Sequence, residues 1–97
     1  MNIGIAIKEL RKTKGLSQAE LATMACTTQA SLSQIEGGRR PKTETLKNIS
    51  ESLEVPEALL YIWGLEKDDV PKENRELYDQ LFPILKNMIT SLVSVKK

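Results

Sequence analysis

Apolar positions in the first 63 residues recur in short runs at three- and four-residue spacing, which predicts a series of short helices. Ile3, Ile5, Ala6, Ile7 and Leu10 carry the first, ended by Lys12, Lys14 and Gly15. Basic residues suit the negative end of a helix dipole, and glycine accepts the left-handed backbone that follows a last turn. Ser17 is placed to cap a second helix, because its hydroxyl can accept from amides two or three residues on, and Glu20 completes a capping box. Leu21 and Ala22 face inward there, with Met24 and Ala25 as the next candidates for burial. Thr27 or Thr28 caps a third helix in which Leu32 and Ile35 face inward. That leaves Gln29, Ala30, Ser33 and Gln34 pointing outward, and Gly37-Gly38 ends the helix. Thr43 is expected to cap a fourth, with Leu46, Ile49, Ser50 and Leu53 inward. Pro56 opens a fifth, from which Leu59, Leu60 and Trp63 pack back. Five short helices pooling their apolar faces predict one all-α core.

Residues 64–71 read as a polar hinge. Beyond it Tyr78, Leu81, Leu85, Met88, Leu92 and Val95 are spaced 3, 4, 3, 4 and 3 apart, a heptad seam that Leu77, Ile84 and Ile89 widen. Pro83 interrupts the run, since proline lacks an amide and its ring crowds the preceding turn; a kink or two separate helices is expected. So apolar a face either packs on its own domain or pairs with another copy of the chain. The expected organisation is therefore a five-helix domain over residues 1–66 and a C-terminal helical extension over residues 67–97.

The chain has 97 residues, enough for one domain with a small core and a short appendage. It shows neither a charged N-terminal region leading into an apolar run nor about 18 consecutive apolar residues, so no membrane partner and a cytoplasmic location are expected. A single cysteine makes no demand for an oxidising compartment. The sequence contains no histidine, which removes the commonest general base, the histidine-activated nucleophiles and most zinc sites. With no glycine-rich phosphate loop or metal-ligand cluster in the sequence either, an enzyme, a cofactor and a metal are all unexpected. The net charge of +1 is unevenly spread. Residues 1–50 hold eight Lys/Arg against four Glu, and the remainder six basic against nine acidic residues. The half that carries the second and third helices is the basic half, as a polyanionic partner requires.

Two caps about ten residues apart, each followed by a one-turn apolar face, describe a helix-turn-helix. The segment resembles that of the phage repressor and Cro family, whose pattern runs Gly-Leu-Ser/Thr-Gln-x-Glu-Leu-Ala, a turn, then a capped helix ending in Ile/Leu-Glu-x-Gly. This chain supplies Gly15, Leu16, Ser17, Gln18, Glu20, Leu21, Ala22, Thr28, Leu32, Gln34, Ile35, Glu36 and Gly38. With the flanking helices the resemblance covers roughly residues 3 to 63. One position departs: where the family has glycine in the turn, at positive φ, this chain has Cys26, at a cost of about 1 kcal/mol. Cys26 is expected to be a small, partly buried turn residue.

The resemblance implies a five-helix lambda-repressor-like fold and sequence-specific binding of double-stranded DNA by a repressor-like regulator, with the helix from about Thr28 to Glu36 in the major groove. Glutamine suits base reading because its amide donates and accepts together, matching adenine N6 and N7. Thr28, Gln29, Ala30 and Gln34 occupy the base-contacting positions. Phosphate contacts are expected from Gln18, Ser33, Arg39, Arg40, Lys42 and Thr43, where charge and free helix-terminal amides combine. Arg11 and Glu36 hold positions that in the family form a pair tying the first helix to the end of the recognition helix. Such proteins bind as two-fold dimers, and the tail seam is the expected dimer handle. A second class of function fits the same fold: a protein-interaction module, such as an antitoxin or adaptor, gripping its partner through the apolar tail.

Overall fold

The computed structural model describes residues 1–93, and every regular element within them is helical. The order is α1 (Ile3–Thr13), α2 (Gln18–Met24), α3 (Gln29–Glu36), α4 (Thr43–Leu53), α5 (Glu57–Trp63) and α6 (Arg75–Val93). Short 3-10 turns at Lys67–Asp69 and Lys72–Asn74 join the last two helices.

Local bonds set the ends of these helices. Asn2, Ser17 and Thr28 accept from the amides of Ile5, Glu20 and Ser31 at 3.1, 3.0 and 3.0 Å, and the Ser17 amide donates to Glu20 at 2.8 Å to close the capping box. The exits of α1 to α4 repeat one geometry. Gly15, Cys26, Gly38 and Glu54 hold φ of 73, 57, 121 and 59°, and the next residue's amide reaches back to Arg11, Ala22, Gln34 and Ser50 respectively. This is the Schellman closure, which satisfies last-turn carbonyls with a single left-handed residue. Cys26 thus adopts the conformation that a glycine would, and the turn keeps its hydrogen bonds. It is exposed, against the expectation of partial burial, because left-handed backbone at a chain reversal turns its side chain outward.

The core is built from Ile7, Leu10, Leu21, Leu32, Ile35, Ile49, Leu53 and Leu60, all fully buried. α1 packs on α3, α4 and α5, while α2 packs on α3 and α4. Gly4 lets α1 lie directly on the end of α3: a Cβ there would run into the carbonyl oxygen of Ile35. Ile5 and Met24, expected inward, are exposed instead, since a short helix buries only one stripe. Two boundaries also differ from expectation. Lys42, in extended backbone, precedes α4, so Thr43 is its first helical residue and no side chain caps that end. Pro56 likewise lies just before α5.

Pro83 lies within one continuous helix, so the tail does not split in two. Contacts on both sides of the proline keep it together. Tyr78 stacks on Phe82 with centroids 4.8 Å apart and donates its hydroxyl to Leu65 O at 2.9 Å, while Ile89 and Val93 are buried in the main core. The adjacent face leaves Leu77, Leu81, Ile84, Leu85, Met88 and Leu92 exposed. Val95 of the expected seam lies outside the described residues. The polar hinge is pinned: the Asn2 amide donates to Gly64 O at 2.7 Å, the Glu66 amide to Asp69 at 2.8 Å, and Lys67 pairs with Asp79 at 2.8 Å. Among the described residues no helix is long and apolar enough to cross a membrane.

Candidate nucleic-acid interface

The α2–turn–α3 unit presents one face of α3 to solvent. Leu32 and Ile35 fix that helix by complete burial, and the residues between them are consequently held outward. Gln29, Ala30, Ser33 and Gln34 are all exposed, as is Thr28 at the entrance. Gln29 and Gln34, five residues apart, project about 140° from each other, one from the tip of the helix and the other from its middle. Thr28 spends its hydroxyl oxygen on the Ser31 amide, which leaves its methyl group and its hydroxyl proton for an external partner.

The far end of α3 is anchored by a buried fork. Arg11 Nε and Nη2 donate to the two carboxylate oxygens of Glu36 at 2.7 and 3.1 Å, and Nη1 donates to Leu16 O at 2.9 Å. The two side chains are 9 and 3% exposed, so this is a desolvated, bidentate pair. Gln18 adds a donor to Glu36 at 3.0 Å. Burial pushes the Glu36 carboxyl up, but the bonds from Arg11 and Gln18 and the charges of Arg11 and Lys8 outweigh it and hold the group below its ordinary value. The fork ties α1, the start of α2 and the end of α3 into one rigid body. Gln18, read from the sequence as a phosphate ligand, therefore has half of its amide donors engaged internally.

The basic loop after α3 lies beside the same face. Arg40, Lys42 and Thr43 are exposed, and the first two, with Thr27, Ser31, Arg39 and Thr45, surround a shallow polar notch next to α3. Arg39 is bound back onto the helix, its Nη2 donating to Ser31 Oγ at 2.5 Å. Ser31 is the residue here that sequence reasoning missed. It sits at an unremarkable position of α3, and only the folded loop brings Arg39 to it. No side chain caps the first turn of α4, which follows this loop directly, so its amides are left free, a favourable environment for an anion.

Fold and surface together define a helix-turn-helix protein with a polar exposed face on its second motif helix and a basic margin. The sequence model described as helix-turn-helix matches residues 7–60, more than half of the chain, and the chain belongs to the repressor and Cro-type helix-turn-helix family of DNA-binding transcriptional regulators. It is similar to the HTH-type transcriptional repressor RghR of Bacillus subtilis (strain 168), at 36% identity over 66 residues that cover 65% of this chain and 49% of that protein. It is also similar to the uncharacterized HTH-type transcriptional regulator RghRB of the same strain, at 30% identity over 92 residues, 90% of this chain and 66% of the relative. The chain thus spans about half the length of one relative and about two thirds of the other. No solved structure matches.

Proposed function

We propose that the chain is a repressor-like regulator that reads a specific double-stranded DNA sequence with α3 in the major groove, as a homodimer joined through the exposed face of α6. The observation that carries this reading is the division of α3: Leu32 and Ile35 are buried and its end is locked by the Arg11–Glu36 fork, while Gln29, Ala30, Ser33 and Gln34 stand exposed together. A fixed helix with amide side chains on its free face supports base reading. Ser33, Arg39, Arg40, Lys42, Thr43 and the second amide proton of Gln18 supply the phosphate contacts that set its register. The similarity to a transcriptional repressor supports the repressor role. One such helix reads few base pairs, and the unpaired apolar residues of α6 supply the surface for a two-fold partner.

Selection of bound duplexes from a random pool, followed by titration of the winner at several salt concentrations, tests the proposal. The expected result is a palindrome with half-sites about one helical turn apart and a steep salt slope. The double variant Gln29→Ala, Gln34→Ala is expected to lose on the order of 10²-fold in affinity for the selected site while retaining weak binding to unrelated duplexes. Absence of any enriched sequence sinks base reading. The apolar face of α6 then becomes the grip of a protein-interaction module, sensitive to Leu85→Asp and little affected by salt.

A further inference from the structure

α6 docks on the five-helix domain in two different ways. Ile89 and Val93 enter the core, and such apolar contacts are strong but non-directional. Further up the helix stands a directional contact. Glu9 of α1 accepts at a single carboxylate oxygen, Oε1, from Trp63 Nε1 of α5 at 2.5 Å and from Lys86 Nζ of α6 at 3.1 Å. The same ammonium lies over the Trp63 ring at 5.2 Å and the Phe82 ring at 5.6 Å. Three helices therefore meet at one oxygen and one cation, with distance and angle both constrained. Burial pushes the Glu9 carboxyl up, but the bonds from Trp63 and Lys86 bring it below its ordinary value, so it stays charged and holds the ammonium at neutral pH.

The position of this cluster gives it a mechanical role. Glu9 lies two residues before Arg11 on α1, and Arg11 forks onto Glu36 at the end of α3. A continuous chain of directional contacts thus runs from α6 through Glu9 and α1 to α3. On the exposed side of α6 lie Leu81, Leu85 and Met88, the surface assigned above to the dimer. The rotation of α6 about its own axis then sets where the second copy, and its reading helix, is carried.

We propose that Glu9, Trp63 and Lys86 are positioning residues that fix the rotation of α6 against the reading head, and so select the spacing between half-sites that the dimer accepts. This inference rests on the dimeric DNA-reading function proposed above. Glu9 and Lys86 side chains are 43 and 29% exposed, so their ion pair contributes little to folding itself and can be altered with the fold in place, whereas Trp63 is part of the core and is left unchanged.

The test uses the full chain and a set of duplexes carrying the selected half-sites with the native spacer, with spacers one and two base pairs longer or shorter, and with a single half-site. Wild type is expected to favour the native spacer by on the order of 10²-fold, as two rigidly coupled sites do. Lys86→Met keeps the stem over the rings and deletes the ammonium. It is expected to cut that ratio to about tenfold or less, by the same effective-concentration argument, with single half-site affinity and sedimentation as a dimer unchanged. Lys86→Arg restores the ratio, and Glu9→Gln, which keeps an acceptor for Trp63, lowers it in the same direction as Lys86→Met. A Lys86→Met protein with the wild-type ratio, or with equal weakening at every spacing, overturns the inference. So does one that sediments as a monomer, since the cluster then builds the seam rather than aiming it. Wild type indifferent to spacing overturns the dimeric reading itself, and is seen before any variant is made.

Discussion

Cys26 holds the left-handed backbone of the turn between α2 and α3 at φ 57°, a conformation that costs a non-glycine residue about 1 kcal/mol. Its side chain is exposed and repays nothing through burial. Cys26→Gly is therefore expected to stabilise the chain by up to about 1 kcal/mol, or to raise its melting temperature by about 4–8 °C. Thermal unfolding followed by circular dichroism measures it, and a lower melting temperature would mean that the flexibility glycine adds to the unfolded chain exceeds the strain relieved. Glu36 makes a prediction in pH. Its carboxyl sits below the ordinary value of 4.5 in the folded chain, so between the two values the unfolded chain binds more protons than the folded one. The stability it contributes is complete above pH 4.5 and is lost as pH falls through the folded value. Urea midpoints across acid pH should fall more steeply for wild type than for Glu36→Gln, which has no carboxyl at this position to protonate. Equal slopes would place the acid-sensitive groups elsewhere.

Among the elements, α1 to α3 were legible in sequence because local signals mark their starts and ends. Ser17 and Thr28 cap amides three residues on, and Gly15 and Gly38 stand at closures where positive φ is required. Signals of that kind act within a few residues, and sequence displays them directly. What sequence hid was contact between distant elements. The bonds from Gln18 to Glu36, from Trp63 to Glu9 and from Lys86 to Glu9 span 18, 54 and 77 residues. Glu54 ending α4 in a left-handed turn carries no compositional mark at all. The heptad seam on α6 was legible as an apolar stripe, but periodicity alone could not divide it. Folding gives Ile89 and Val93 to the core and leaves Leu81, Leu85 and Met88 outside. That division makes a sharp test of the seam. Met88 is 61% exposed, so Met88→Asp is expected to change folding stability by no more than about 0.5 kcal/mol while converting a dimer into a monomer in sedimentation. A variant that stays dimeric would move the dimer contact off α6.

Across the whole molecule, charge and surface are distributed in a way that suits one face to DNA and another to a partner copy. Residues 1–50 carry an excess of four positive charges and the remainder an excess of three negative ones, so the net charge of +1 conceals a polarised chain. The α6 half would be repelled by a polyanion, which favours approach by the edge that holds α3 and the loop after it. Affinity for DNA then depends on how many phosphates that edge neutralises, because each displaced counterion steepens the fall of binding with salt. If Arg39, Arg40 and Lys42 each cover one phosphate in both halves of a dimer, about six contacts give a slope near −5 in log affinity against log salt. Arg40 is the informative position to change, since it is exposed whereas Arg39 is bonded to Ser31. Arg40→Ala removes one contact per subunit, so the slope should become shallower by about 2 in a dimer and by about 1 in a monomer. If Arg40 meets phosphate and not bases, as proposed, affinity should drop by a similar factor on selected and unrelated duplexes. Preferential loss on the selected site would instead put Arg40 against a base edge, and the arginine-rich loop would join α3 in reading sequence.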